Sequence, residues 1–391
     1  MKILFLYDFP LWGSGSGVYL NNLVEELVKL NHKVGIVSPE QRRFLEDKIK
    51  QYTVNTPQIP VFIGHPELKG AKRFSELSDR EITEVYKAYL DTTLEAVINF
   101  QPDLIHVNHL SLISWVARYI RAVQGTRYII TTHGSCLNHI LADKRYLSLC
   151  EDAVKSARAI TTVSGNTKSS FLKVFGYNNK KNTYIIPGGV DFKFFSKQVD
   201  ISTINKKYEI QGKKIVLFCG RLSSEKGTQY LVKAANNIKG EIFIAGEGPE
   251  EQYLSQIIKS KKLENVHLLG YLSHEELVDF YYRADVFVAP SVVEEALGLS
   301  ILEAMAAKTP VIATRKGGIP TLIKNGKNGF FVKTRNASDI VKVCNKLLED
   351  DELRKKMGEA AKETVEKKFT WKITALRMQS LYKRIIRNGK K

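Results

Sequence analysis

Short, branched apolar runs alternate with longer stretches of three-to-four spacing, and the alternation occurs twice along the chain. In the first half the runs Ile3–Tyr7, Val34–Val37, Leu104–Val107, Tyr128–Thr132 and Ala159–Val163 are each followed by turn residues. Between them lie patterns such as Leu20, Leu23, Val24, Leu27 and Leu30. Short branched runs suit strands buried on both faces, whereas an apolar residue every three or four positions gives a helix one apolar stripe. Strands joined in series through helices pair in parallel, so the pattern predicts a doubly wound sheet whose strand carboxyl ends face a ligand. After a polar interval the pattern restarts with Ile215–Cys219, Ile242–Ala245, Val266–Leu268, Val286–Ala289 and Val311–Ala313. The expected fold class is α/β, with two Rossmann-like domains facing a central cleft.

A chain of 391 residues is too long for one ordinary core. The expected division is 1–190 for the first domain, 191–213 for a linker, 214–368 for the second domain and 369–391 for a basic C-terminal helix packing back on the first. The linker reading rests on a polar, lysine-bearing segment without apolar period. The terminal helix is read from the spacing of Trp371, Leu376, Met378, Leu381 and Ile385. No apolar run reaches the roughly 18 residues of a spanning helix, and MKILFLYDFP reads as a buried strand, so a cytoplasmic protein is expected. The four cysteines form no CxxC pair, which fits a reducing compartment and argues against structural zinc.

The formal charge is +18, from 59 basic and 41 acidic residues, and implies an anionic partner. Basic residues concentrate at Arg42, Arg43, Lys48 and Lys50, at Lys69, Lys72 and Arg73, and at Lys383, Arg384, Arg387, Lys390 and Lys391. They are not interleaved with aromatics on one module, which argues against nucleic acid. Peripheral contact with an anionic membrane and a solvated lysine-rich surface both account for the clusters.

The residues at strand ends carry the chemistry. The stretch APSVVEEALGLSILEAMAAKTP places Glu295 and Glu303 about Gly298, which is followed at once by a helix expected over Leu299 to Ala307. A helix start directs free N–H groups and its positive dipole end outward and so attracts an anion. Carboxylates repel phosphate, so Glu295 and Glu303 are suited instead to accept from the hydroxyls of a group attached to it; the pattern describes a sugar nucleotide. Arg221 and Lys226, in LFCGRLSSEKG, supply a planar fork and a point charge for a diphosphate leaving group. In the first half, GSGSG at Gly13 to Gly17 leads into a helix, with a glycine spacing that is not the dinucleotide fingerprint. His133 follows the strand YIITT and can exchange a proton or hydrogen bond with a sugar hydroxyl. His133, His139 and Cys136 imitate a metal site without a fourth ligand. With no aspartate-any-aspartate triplet in the chain, neither metal nor cofactor is expected, and fixed cations carry the leaving charge.

With these residues assembled, the chain resembles the retaining glycosyltransferases of the GT-B fold, in the family 4 group that includes sucrose-phosphate synthases and mannosyltransferases. The resemblance runs through GSGSGVYLNNLVEELVKLNHKV, PDLIHVNHL, His133, IIPGGVD, GRLSSEKG, the paired glutamates and GGIPTLIKNGKNGFFV. It implies that Glu303 holds the ribose hydroxyls, that Glu295 and the backbone of Leu297, Gly298 and Leu299 meet the donor sugar and diphosphate, and that Arg221 and Lys226 face the phosphates. It further implies Gly15 or Gly17 on the cleft, His133 at the donor sugar, and the base near Gly270 and Tyr271. Ala296, Leu297, Lys308, Thr321 and Asn108 depart from the usual pattern. The implied activity is hexosyl transfer, with retention, from a UDP- or GDP-linked sugar to a glycan, lipid-linked or small-molecule acceptor. An epimerase of the same fold and a non-catalytic sugar-nucleotide-binding subunit are the alternatives.

Overall fold

The computed structural model describes residues 1–62, 65, 67–195 and 201–387. They form two compact units, the first built from Met1–Gly188 and the terminal segment beginning at Trp371, the second from Gly189–Thr370.

The first unit contains strands β1 (Lys2–Leu6), β2 (Lys33–Ser38), β3 (Ile49–Thr53), β4 (Leu104–Val107), β5 (Tyr128–Thr132), β6 (Ala159–Thr162) and β7 (Thr183–Ile185). All pair in parallel, in the order β3-β2-β1-β4-β5-β6-β7. Ile3, Leu4, Phe5 and Leu6 are fully buried, as a central strand covered on both faces requires. The two flanking strands β3 and β7 were not anticipated. IKQYT is half-exposed and lacks a continuous apolar run, and TYI spans three residues, so an edge position leaves little sequence signal.

The second unit contains β8 (Ile215–Cys219), β9 (Glu241–Ala245), β10 (Val266–Gly270), β11 (Val286–Ala289), β12 (Val311–Thr314) and β13 (Phe330–Val332). These run in parallel in the order β10-β9-β8-β11-β12-β13, six among the described residues where five were expected. The additional strand is again short and at an edge; its Phe331 N–H donates to Asn325 Oδ1 at 2.8 Å.

The stretch 191–213, expected to be a linker, is folded into the second unit wherever it is described. Phe195, Ile204 and Ile210 are buried in that unit's core, and Ser202–Lys207 is helical. Its apolar residues are too sparse to show a period, and one of them, Ile201, stays exposed; residues 196–200 lie outside the described residues. The terminal helix Trp371–Arg387 belongs to the first unit and buries Trp371, Thr374, Ala375, Met378, Leu381, Tyr382 and Ile385. It lies on the helix Gly15–Lys29, where the Tyr19 and Trp371 rings meet edge to face at 5.5 Å. The Tyr382 hydroxyl bonds His106 Nδ1 at 2.6 Å, and His106 Nε2 bonds Thr131 Oγ1 at 2.6 Å. Lys390 and Lys391 of the expected basic end lie outside the described residues.

In both sheets the strand order reverses beside the first strand of the unit, between β1 and β4 and between β8 and β11. Open parallel sheets bind ligands beyond the strand carboxyl ends at such switch points, because adjacent loops diverge there to opposite faces. Among the described residues no helix is long and apolar enough to cross a membrane.

Candidate functional site

At the second switch point, the loops after β8 and β11 are stitched together by backbone. Val292 N–H donates to Glu225 O at 2.8 Å, and a Cβ on Gly227 would stand 2.1 Å from Pro290 O, so only glycine permits this approach. The contact sets Lys226, on the single turn Ser224–Lys226, opposite Glu295: Lys226 Nζ donates to the two carboxylate oxygens at 2.7 and 3.0 Å. Ser291 Oγ adds a third donor at 2.6 Å. The backbone of Glu295 is fixed as well, since Gly318 N–H donates to its carbonyl at 2.7 Å and a Cβ on Gly317 would meet that oxygen at 2.1 Å. With 17% of its side chain exposed, Glu295 is a held carboxylate at the surface of the site.

Lys226 was expected to face the phosphates with Arg221; in the structure its charge is shared with Glu295. An ammonium has three donors, and two are used here, which leaves one for an anion. Arg221 is exposed and makes no ion pair among the described residues, so its full charge is available. Gly298, at φ 99°, starts the helix Leu299–Ala306 with no side-chain cap, which leaves the first-turn N–H groups for a ligand. Leu297 turns its side chain into the core and offers only backbone to the site, beside half-buried Gly298 and Leu299. Lys308, where the resemblance leads one to expect glycine, adopts φ 63° and pairs with Glu359 at 2.7 Å.

Glu303 lies one turn into the same helix. Its Oε2 accepts from the Tyr281 hydroxyl at 2.9 Å, and its Oε1 faces His274 Nε2 at 3.4 Å. Tyr281 is fully buried, and burial, reinforced by Cys219 and Glu303, holds its hydroxyl protonated as a donor. Burial likewise pushes the neighbouring Cys219 thiol up to about 12, so it stays neutral. β10 ends in Gly270, at φ 67°, and the loop after it begins with Tyr271, 75% exposed, which presents an open aromatic face.

The first switch point is lined differently. Ser14 caps the helix Gly15–Lys29 by accepting from Gly17 N–H at 3.0 Å, and the buried Tyr7 hydroxyl bonds both Ser14 and Ser16 at 2.9 Å. Gly17 and Gly15 are not equivalent: a Cβ on Gly17 would meet Leu11 O at 2.6 Å, whereas one on Gly15 would meet nothing within 4 Å. Gly17 is therefore packed beneath its own loop, and Gly15 is the open position. His133, 8% exposed, bonds Asn108 Oδ1 through Nε2 at 3.3 Å. An amide oxygen only accepts, so Nε2 carries the proton. Burial, then His109 and His106, holds His133 well below the usual histidine range, so the ring is neutral. Asn108 also reaches the glycine loop, donating to Ser16 O at 3.4 Å.

Behind this contact, His109 Nδ1 lies 3.1 Å from Asp8 Oδ2, and Ser111 Oγ donates to Asp8 Oδ1 at 2.7 Å, all three residues being buried. His139 packs among Phe62, Phe74 and Tyr146, and Cys136 Sγ turns to His133 O at 2.9 Å. Among the described residues no group of three or more histidine, cysteine, aspartate or glutamate side chains could hold a metal ion. Sequence reasoning missed Ser291, Tyr281 and His274 as partners of the two glutamates, and Asp8 and His109 in the first unit. Ser291 and Asp8 sit just past strand ends and were legible in principle; Tyr281 lies mid-helix, where only its contact reveals it.

Two parallel doubly wound sheets, the second carrying cations, carboxylates and an uncapped helix start at its switch point, define a GT-B glycosyltransferase acting on a nucleotide sugar. The "Glycosyltransferase Family 4" model matches residues 13–194 and the "Glycosyl transferases group 1" model residues 200–364. The chain belongs to the family 4 glycosyltransferases. It is 24% identical over 388 residues to N-acetyl-alpha-D-glucosaminyl L-malate synthase of Bacillus anthracis, a match covering 96% of this chain and 95% of the relative. It is 27% identical over 419 residues to D-inositol 3-phosphate glycosyltransferase of Corynebacterium jeikeium, covering 98% and 96%. Among solved structures, sucrose-phosphate synthase from Thermosynechococcus elongatus superposes with a TM-score of 0.81 at 20% identity, covering all of both chains. Anabaena HepE in complex with UDP and glucose gives 0.76 at 19% identity, covering 98% of this chain and 100% of the other.

Proposed function

We propose that this glycosyltransferase moves a hexose, with retention at the anomeric carbon, from a UDP- or GDP-linked donor held by the second unit. The observation that carries the reading is the Lys226–Glu295–Ser291 cluster beside the open helix start at Gly298. In this reading the diphosphate takes the helix N–H groups, Arg221 and the remaining donor of Lys226, while Glu295 accepts from sugar hydroxyls. Glu303 accepts from the ribose diol, and Tyr271 lies beside the base. As the anomeric carbon–phosphate oxygen bond breaks, an acceptor oxygen forms its bond on the same face, and the acceptor proton passes to the departing phosphate oxygen. Fixed cations stabilise that oxygen without a metal. His133, held neutral, is a hydrogen-bonding partner for the sugar in the first unit. Trapping a sugar covalently on a side chain would overturn this mechanism.

The acceptor belongs to the first unit in this reading, and it is a glycan, a lipid-linked sugar or a small molecule. Support for an anionic small molecule comes from the two near-full-length relatives, whose names carry L-malate and inositol 3-phosphate, and from the net charge of +18. Contact with an anionic membrane is the further use of that charge; equal liposome flotation with and without anionic lipid would remove it. The central test is nucleotide release from a panel of nucleotide sugars, with and without chelator. Release from one donor, insensitive to chelator and reduced about 10²-fold or more by Glu303→Ala, is expected, because two charge-assisted hydrogen bonds are lost. Unchanged release in that variant refutes the nucleotide assignment.

A further inference from the structure

We propose that His274 is a positioning residue for Glu303, fixing the carboxylate that takes up the ribose diol; the proposal rests on the assignment of Glu303 made above. A carboxylate accepts two vicinal hydroxyls well only when both its oxygens are held in one orientation, since each free side-chain torsion costs entropy on binding. Glu303 is gripped from two sides. Tyr281 holds Oε2 from the buried side at 2.9 Å, and His274 faces Oε1 from the open side at 3.4 Å, with 43% of the imidazole exposed.

The position of His274 is itself built. Ser273 caps the helix His274–Arg283 in a reciprocal box with Glu276: the Ser273 hydroxyl accepts from Glu276 N–H at 3.3 Å, and Glu276 Oε2 accepts from Ser273 N–H at 3.0 Å. The imidazole then stands perpendicular to the Phe194 ring at 4.5 Å, which fixes the direction in which Nε2 points. The first turn of a helix disfavours a cation, so a protonatable ring there needs a compensating partner. The hydrogen bond to Glu303 supplies it and raises the imidazole pKa above its usual value; partial burial opposes the rise, and Asp191 and Glu275 add to it. The charged groups that face His274 are thus Glu303, Asp191 and Glu275, while Tyr281 and Cys219, behind Glu303, remain neutral. The charge assistance of this pairing is present at low pH and is lost as pH rises through the raised value.

The readout is discrimination between a ribonucleoside diphosphate and its 2′,3′-dideoxy form, measured by titration calorimetry on the full chain with the UDP, GDP and ADP pairs. For the pair that binds, His274→Ala is expected to lower the ratio of the two affinities about five- to tenfold, the size of one hydrogen bond, by weakening only the ribo form. His274→Gln, which keeps a donor, is expected to restore the ratio to within about twofold. The wild-type ratio should fall between pH 6 and 8.5, and the His274→Gln ratio should stay flat. Equal weakening of both ligands, or an unchanged ratio in His274→Ala, overturns the proposal. Glu303→Ala separates the two levels: if it leaves the ratio intact, the ribose assignment fails, and if it abolishes the ratio while His274→Ala does not alter it, only the role of His274 fails. Binding of none of the three pairs overturns both.

Discussion

The two switch points have one topology and opposite chemistry. Beyond β1 and β4 the functional groups are buried: His133 is kept neutral, and the nearby Asp8–His109 pair is enclosed by the rings of Tyr7, Phe9 and Phe62. Beyond β8 and β11 the groups are ions at the surface, Arg221 without an ion pair among the described residues and Lys226 paired with Glu295. One histidine on each side makes the contrast concrete, for His133 is pushed down by burial and His274 is raised by its carboxylate. Parallel topology therefore decides where a site lies, and burial decides whether the side chains there act as neutral hydrogen-bonding groups or as fixed charges.

The largest test of that contrast removes one group from each side. Lys226→Met deletes a charge that the proposed mechanism sets beside the leaving phosphate, and kcat/KM for the donor is expected to fall about 10²–10³-fold, the usual cost of losing one preorganised electrostatic donor. Asn108→Ala removes only a neutral partner of His133 and should cost about tenfold, the size of one hydrogen bond. Steady-state kinetics with the donor found in the panel would measure both. Equal losses would mean that the two sites do not divide into charged and neutral.

A smaller effect separates the loops that carry them. Gly317 sits at φ 56° with its would-be Cβ 2.1 Å from Glu295 O, so Gly317→Ala should destabilise the chain by about 2–3 kcal/mol through backbone strain. Gly15 has open space around it, and Gly15→Ala should stay within about 0.5 kcal/mol of wild type. Urea denaturation at fixed pH distinguishes them. A large cost at Gly15 would show that this position is not open.

Legibility in the sequence followed the same division. Central strands such as ILFL and IVLF announce themselves because both faces are buried, whereas β3, β7 and β13 are edge or three-residue strands that leave little period. The stretch 191–213 read as a linker because Phe195, Ile204 and Ile210 each bury alone, without helical or strand spacing. Ions at strand ends were legible, since charge next to glycine in a strand-to-helix turn has few structural uses. Their pairing was not: Lys226 and Glu295 are 69 positions apart, and the backbone contacts of Gly227 with Pro290 and of Val292 with Glu225 bring them together. Asn108 was visible as a departure from the family pattern, but its bond to His133 depends on the register of β4 beside β5.

The smallest effect per unit of change is the pH dependence of stability, and here two histidines, His106 and His274, should contribute with opposite sign. His106 is buried between Tyr382 and Thr131, and burial lowers it from 6.5 to about 3. The unfolded chain takes up a proton near pH 6.5 that the folded chain refuses, so stability is full above that pH and lost as pH falls. The loss is about 1.4 kcal/mol per pH unit for a fully buried group of this kind. Burial also lowers His32, His65, His133 and His139, so the first unit carries several such contributions. His274 runs the other way, stabilising below pH 6.5 and losing that contribution as pH rises through its raised value, with a small amplitude because the ring is half-exposed. Thermal melts between pH 7.5 and 5 should therefore show stability falling steeply with acid, and His106→Gln should flatten the slope by about 1 kcal/mol per pH unit even if it lowers stability overall. His274→Gln should leave the acid slope almost unchanged. A slope untouched by His106→Gln would mean that His106 is not held neutral between Tyr382 and Thr131, and the terminal helix would lose the polar anchor that ties it to β4.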